Sequence, residues 1–349
     1  MTEPVPKLGA LYINPAGGCN LDCVHCWVNQ GEFKGELLSL NQWEHLILQA
    51  GKLGCSYLKL TGGEPLLYEN IVPLFSYAAE NIQRVSIETN GTLEPSGLWN
   101  AFELRKPYHV SVSIDSAEPV EHDSFRGMAG SWEKAVNFSG RIVRMKIPSQ
   151  IVMSITDTRR DPIRKMIALA SDIGVDTLRI NLVTPSGKGS ENNFFTDMDI
   201  QKVLDFFSWL SDETPLWVLP AIPAALLPVK RLRGLGYCPV RKLMGVLPDG
   251  TYSLCGVAFS KNEMAWGRFP ETTVRDAWLN SPIYRKIRDS VPNRLQGVCG
   301  RCIHKDTCSG RCVVNNMETS GCITSPDLLC QKAYEAGLFP RTRLVDENG

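Results

Sequence analysis

Three cysteines stand within eight residues, Cys19-Asn-Leu-Asp-Cys23-Val-His-Cys26, directly after a short apolar run. Thiolates at this CxxxCxxC spacing can hold three irons of a four-iron–four-sulfur cluster. No fourth cysteine follows nearby, so one iron stays open to an outside ligand. A full set of four suits a plain electron carrier or a structural zinc, and zinc with a distant fourth ligand is the competing reading of this motif alone. The chain has 12 cysteines in 349 residues, distributed unevenly. After Cys55 none occurs until Cys238, and eight lie from there to Cys330. Two separated thiol groups in a reducing compartment read as metal or cluster chemistry rather than as a disulfide scaffold.

The remaining composition narrows the class. With 37 basic and 37 acidic side chains the formal charge is zero, which lacks the footprint of a dedicated nucleic-acid binder. No apolar run approaches the roughly 18 residues of a membrane span. The start, Met1-Thr-Glu-Pro-Val-Pro-Lys, has no signal-peptide pattern. A cytoplasmic protein with neither nucleic acid nor membrane as partner is expected.

Up to about residue 213, β-branched runs alternate with amphipathic stretches. Strands are expected at Leu11–Asn14, Tyr57–Leu60, Val85–Glu88, His109–Ile114, Gln150–Ile155 and Thr177–Leu182. Helices are expected at Leu40–Leu53, Ile71–Asn81, Trp132–Met145, Pro162–Ile173 and Asp199–Leu210. Such alternation predicts an α/β fold with a parallel sheet, open or curved into a partial barrel. From 214 to 237 prolines interrupt any long helix, and a linker is expected. Lys230, Arg231, Arg233, Arg241 and Lys242 fall in a stretch without acidic residues, read as a solvated face or as contact with an acidic partner. Residues 238–340 form a Cys-rich domain in which metal sites replace a large core, and 341–349 a tail.

Further motifs follow successive strands. Thr61-Gly62-Gly63-Glu64-Pro65 combines glycines that admit a close ligand with a carboxylate for an amine. Glu88-Thr-Asn90-Gly91 closes the third strand and Ser113-Ile-Asp115 the fourth. In a parallel β/α fold these carboxyl ends share one face, where ligands bind.

With CxxxCxxC followed by GGEP, residues 8–210 resemble the radical S-adenosylmethionine (SAM) enzymes. The resemblance implies a partial (βα)6 TIM-like barrel. It also implies a four-iron cluster on Cys19, Cys23 and Cys26, whose open iron chelates SAM. One electron then cleaves the C5′–S bond, and the 5′-deoxyadenosyl radical takes a substrate hydrogen. Gly62, Gly63 and Glu64 would face the methionine amine, Ser113 and Arg126 the ribose or carboxylate, and Val183 the adenine, with Asn90 a further SAM contact. The position before the third cysteine, usually aromatic in the family and against the adenine, is His25 here.

The second cysteine group resembles the SPASM extension of peptide-modifying radical SAM enzymes. That resemblance implies two auxiliary clusters, three four-iron clusters in all. Cys238, Cys255 and Cys312 would hold the nearer one, and Cys299, Cys302, Cys308 and Cys330 the farther. Cys322 is surplus: a fourth ligand of the nearer cluster, an alternative to Cys330, or a buried thiol. Cys55 reads as core packing, and His304 as a surface histidine.

Sulfatase maturases with this architecture carry Asp after the second cysteine of the block. Here Cys255 is followed by Gly256, which argues against that activity. The remaining relatives mostly modify ribosomally made peptides by crosslinking, excision or other oxidation. With the first cluster cysteine at residue 19, the N-terminal leader-gripping domain of many relatives is not expected, which leaves two readings: a separate leader-binding protein, or a substrate that is not a leader peptide. An external electron donor such as flavodoxin or ferredoxin completes the expected partners. The alternatives are the same chemistry on a small molecule (aminocyclitol or sugar dehydrogenation, tetrapyrrole side-chain decarboxylation) and a non-catalytic iron–sulfur or zinc protein. No catalytic base is assigned; Glu88, Asp115, His122 and Tyr252 are the candidates.

Overall fold

Each β-branched run becomes a strand and each longer amphipathic stretch a helix. The computed structural model describes residues 5–28, 35–183, 186–191, 199–232, 238–258 and 262–345. The strands are β1 (Ala10–Ile13), β2 (Tyr57–Leu60), β3 (Arg84–Thr89), β4 (His109–Ser113), β5 (Ser149–Ile155), β6 (Thr177–Leu182), β7 (Val218–Ala221), β8 (Leu243–Val246) and β9 (Tyr252–Ser253). Between them run α1 (Leu40–Lys52), α2 (Ile71–Asn81), α3 (Leu98–Leu104), α4 (Pro119–Arg126), α5 (Ser131–Arg144), α6 (Arg160–Ile173), α7 (Lys188–Glu191) and α8 (Ile200–Glu213).

Helix α1 shows the local logic. Ser39 caps it by accepting from the Gln42 N–H at 3.3 Å, and the Gln42 side chain returns to the Ser39 N–H at 2.9 Å. Its 3.6-residue period then buries Trp43, Leu46, Ile47 and Ala50. The strands form one sheet in the order β7-β6-β5-β4-β3-β2-β1-β8-β9. All neighbours are parallel except β8 and β9. The result is a partial parallel β/α core with a separate Cys-rich C-terminal region.

The sheet is wider than the six expected strands. β7 forms within the proline-rich stretch because it lies at an edge and pairs only with β6, where Pro220 does no damage. β8 joins the other side in parallel with β1, Ala10 opposite Leu243 and Ile13 opposite Val246.

The basic stretch also divides. Arg231 is buried, neither a solvated face nor a partner contact. It gives Nε to Ser211 O and Nη1 to Pro215 O and Val218 O, all at 2.9 Å, and Nη2 to Thr214 O at 2.5 Å. It thus satisfies carbonyls that the end of α8 leaves unpaired. Lys230, Arg241 and Lys242 are exposed, as expected of a solvated face, and Arg233 lies outside the described residues.

The Cys-rich region is built from short helices: α9 (Val274–Asn280), α10 (Pro282–Ser290), α11 (Gly297–Gly300), α12 (Lys305–Cys308), α13 (Val313–Ser320) and α14 (Leu328–Glu335). It is seated on the β/α core by the Trp278 indole N–H on Pro6 O at 2.6 Å and the Val274 N–H on Gln49 Oε1 at 3.0 Å. Cys55 packs in the core, as expected. Among the described residues no helix is long and apolar enough to cross a membrane.

Candidate active site

The loop after β1 carries Cys19, Cys23 and Cys26, and the end of α4 holds it. Asp22 N–H bonds to Arg126 O at 3.2 Å and Val24 N–H to Phe125 O at 3.1 Å. Gly127, at φ 70°, lets the loop approach so closely that a Cβ there would stand 2.7 Å from Asp22 O. On the other side Lys188 N–H reaches Cys26 O at 2.9 Å. The three thiols lie within electrostatic range of one another. Burial, reinforced by Glu64 and the other two thiols, pushes Cys19 up to about 12.

Around this loop the strand ends bring together several of the expected residues. Asn90 donates to Asn20 Oδ1 at 2.9 Å and to Cys19 Sγ at 3.8 Å. Glu64 is fully buried, and its carboxylate accepts from Leu66 N–H at 3.0 Å, Thr89 Oγ1 at 2.8 Å and Asn90 N–H at 2.7 Å. Through these three donors Glu64 staples the glycine turn to the end of β3. Burial nevertheless raises its carboxyl to about 7, against the pull of those donors. Gly62, at φ 119°, abuts Asn14, and a Cβ there would stand 2.0 Å from the Asn14 amide carbon. Gly63 completes the turn.

Arg126 is committed to the loop. Its Nε donates to Asp115 Oδ2 at 2.5 Å and its Nη1 to Cys23 Sγ at 3.8 Å. Burial alone would raise the Asp115 carboxyl, but Arg126 holds it below its ordinary value. His25 stacks on Phe125 at 4.3 Å and 13° with Nε2 4.0 Å from Asp115, and burial lowers its imidazole to about 4. His122 accepts the Asp115 N–H on Nδ1 at 3.1 Å. Ser113 ends β4, half-buried, and Val183 follows β6 with its N–H on Ile155 O at 3.0 Å.

A cavity of about 340 Å³ separates the sheet from the Cys-rich region. Tyr12, Lys59, Glu88 and Arg179 line its sheet side, Cys238, Cys255, Arg311 and Cys312 the opposite side, and Trp27 the edge next to Cys26. Glu88 is the one base candidate that faces this space. Its carboxylate takes Lys59 Nζ at 2.5 Å and Thr61 Oγ1 at 3.0 Å. Burial alone would raise its carboxyl, and the Lys59 ammonium brings it below the ordinary range. Asp115 and His122 serve Arg126 and the backbone, and Tyr252 is buried with its hydroxyl on Thr272 O at 2.9 Å.

Cys299, Cys302, Cys308 and Cys330 line a second, smaller pocket. Cys308 borders both spaces. His304 corrects the surface reading: it is half-buried in that smaller pocket, and its Nε2 is buried without a hydrogen-bond partner. Cys322 lines neither space. It is half-buried, 3.1 Å from Thr324 Oγ1, rather than a buried thiol.

Residues 13–170 match the radical SAM superfamily and residues 238–303 the SPASM iron–sulfur cluster-binding domain. The chain is a radical SAM enzyme with a C-terminal SPASM domain. This radical SAM enzyme is 26% identical to the AdoMet-dependent heme synthase of Methanosarcina barkeri, over 84% of this chain and 88% of that one. It is 25% identical to the mycofactocin maturase MftC of Mycobacterium tuberculosis, over 98% and 90%. Its fold is similar to that of Streptococcus suis SuiB bound to precursor peptide SuiA, with a TM-score of 0.73 at 17% identity over 94% of this chain and 76% of that one.

The residues present fit iron–sulfur and SAM cofactors. The Asn14 amide is fully buried with neither polar atom hydrogen-bonded, and His25 Nδ1 is likewise unpaired. Buried polar atoms left in that state are costly, and both stand near the cysteine loop or its glycine turn, where a bound polar group would satisfy them.

Sequence reasoning passed over Asn14, Trp27, Lys59, Arg179 and Arg311. For Lys59 and Arg179 a signal existed. Parallel strands covered on both faces read as apolar runs, and a charge inside β2 or β6 breaks that rule.

Proposed function

We propose that this radical SAM enzyme modifies a ribosomally made peptide by crosslinking, excision or another oxidation, with the substrate in the 340 Å³ cavity. The cavity carries this reading: its walls join Trp27, beside the first cysteine group, to Cys238, Cys255 and Cys312. A substrate held there lies between the site of hydrogen abstraction and an electron acceptor. The similarity to mycofactocin maturases along nearly the whole chain supports a peptide. The similarity to heme synthases favours a second reading, oxidation of a tetrapyrrole side chain.

When bound, the first cluster and SAM supply a 5′-deoxyadenosyl radical that takes a hydrogen atom from substrate. In this reading Cys19, Cys23 and Cys26 hold that cluster. His25, Gly62, Gly63, Glu64, Asn90, Ser113, Arg126 and Val183 shape the SAM site, with Glu64 acting by fixing the glycine turn. Cys238, Cys255 and Cys312 hold one auxiliary cluster, and Cys299, Cys302, Cys308 and Cys330 the other. Arg126 offsets the charge of the Cys23 thiolate, and Trp27, next to Cys26 in the chain, lines the cavity. Glu88, kept ionised by Lys59, is the group placed to accept a proton from substrate.

The division into a barrel domain at 1–213, a bridge at 214–237, a SPASM domain at 238–340 and a tail at 341–349 belongs to the same reading, with residues 346–349 outside the described ones. So do an external one-electron donor such as flavodoxin or ferredoxin and a separate leader-binding protein. Co-expression with short peptides encoded beside the gene, read by mass spectrometry, tests the substrate. A mass change in one peptide that disappears with Cys23→Ala is expected. A tetrapyrrole that changes in place of every peptide overturns the peptide reading.

A further inference from the structure

Apart from the cysteines that would hold a cluster, the cavity's side chains carry more positive than negative charge. Among the described residues Lys59, Glu88, Arg179 and Arg311 are the charged side chains that line it. Lys59 and Glu88 satisfy each other. Arg311 has Asp327 Oδ2 3.4 Å from Nη1 and gives Nη2 to the Ala221 carbonyl. Arg179 has Asn181 Oδ1 3.2 Å from Nε and, among the described residues, no ion pair. Burial disfavours its charged form and the Arg311 guanidinium adds to the effect, while the Glu88 carboxylate in the same wall acts in the opposite direction. Arginine does not relieve such a conflict by losing its proton.

The backbone enforces the arrangement. Ser309, Gly310 and Arg311 lie in succession at φ 54°, 73° and 65°, and two of the three have side chains that disfavour this region. Backbone held against its preference gathers where function requires a direction. Two guanidinium groups converging on a cavity form the donor half of a bidentate anion site.

We propose that Arg179 and Arg311 bind a carboxylate of the substrate, so that the part entering the cavity carries either a chain terminus or an acidic side chain. This rests on the peptide reading above. Tyr12, Trp27 and Pro220 offer apolar wall for the body of the residue. Its carboxylate is anchored between β6 and the Cys308–Cys312 segment, and the rest extends towards Trp27 and the first cysteine loop.

Affinity selection with mass-spectrometric readout tests the site on iron-loaded enzyme with SAM. The probe is an N-acetylated pentapeptide library in four forms, free acid or C-terminal amide, with Glu or Gln at the centre. A separate arm uses haem and its dimethyl ester. Carboxylate-bearing peptides are expected at about 10-fold over the amide–Gln form. The better retained of the free-acid and Glu forms identifies the source of the carboxylate. The preference should fall to about twofold or less in Arg179→Gln and in Arg311→Gln, with Arg179→Lys keeping part of it. Peptides retained without acid preference overturn the proposal and leave the peptide reading standing. Haem retained over its ester through Arg179, with no peptide retained, overturns the peptide reading and keeps the carboxylate site. No acid preference in either arm overturns the proposal. So does iron loss in the glutamine variants with acid preference intact, because the arginines then serve only the cysteine-bound metal.

Discussion

The Trp27 indole occupies the space that any side chain at Gly256 would need: a Cβ there would stand 2.4 Å from Trp27 Cη2. Gly256, directly after Cys255, is the residue whose backbone the ring lies against. Gly256→Ala should cost about 2 kcal/mol by overpacking. In a Trp27→Leu background the same change should cost far less, and a double-mutant cycle by denaturant unfolding measures the coupling.

Asp115 and Arg126 form a buried ion pair beside Cys23. Asp115→Asn strands the guanidinium, and a loss of about 3–5 kcal/mol is expected. Adding Arg126→Met removes the stranded charge and should recover part of it. Thermal unfolding of the two variants checks the order.

Burial holds the His122 imidazole down at about 4, against an ordinary 6.5. The unfolded chain takes this proton near pH 6.5 and the native state only near pH 4. This contribution is therefore present in full above pH 6.5 and is lost as pH falls towards 4. At 1.36 kcal/mol per unit it amounts to about 3 kcal/mol. His122→Asn, which retains an acceptor for the Asp115 N–H, should be correspondingly less acid-sensitive in unfolding midpoints measured from pH 7 to 4.

Arg231 gathers the carbonyls at the end of α8 and the start of β7. Arg231→Ala removes these donors, leaving only Pro215 O with its bond from the Val218 N–H among the partners shown, and a loss of about 3 kcal/mol is expected. Hydrogen exchange should localise the weakening to α8 and β7.

The β-branched runs of β1 to β6 were readable because alternation and the intervening amphipathic stretches are local. β7 was not, since Pro220 argues against a strand unless one knows that it lies at an edge. Leu243–Val246 reads as an apolar run, but nothing in it says that its partner is β1, more than two hundred residues away. The cysteine groups were legible because ligand spacing is a covalent constraint. The capping role of Arg231 and the approach of Arg179 to Arg311 depend on contacts between distant segments, which composition and period do not encode. Glu64 shows the limit of a motif: its carboxylate serves the fold of the turn, and only the structure reveals the three donors.

Anaerobic incubation of the iron-loaded enzyme with SAM and dithionite, followed by quantification of 5′-deoxyadenosine, tests the central claim most directly. The wild type should form it, and Cys23→Ala should fall to the enzyme-free background. Iron-loaded wild type that forms none, or a Cys23→Ala variant that keeps the wild-type rate, would contradict the account.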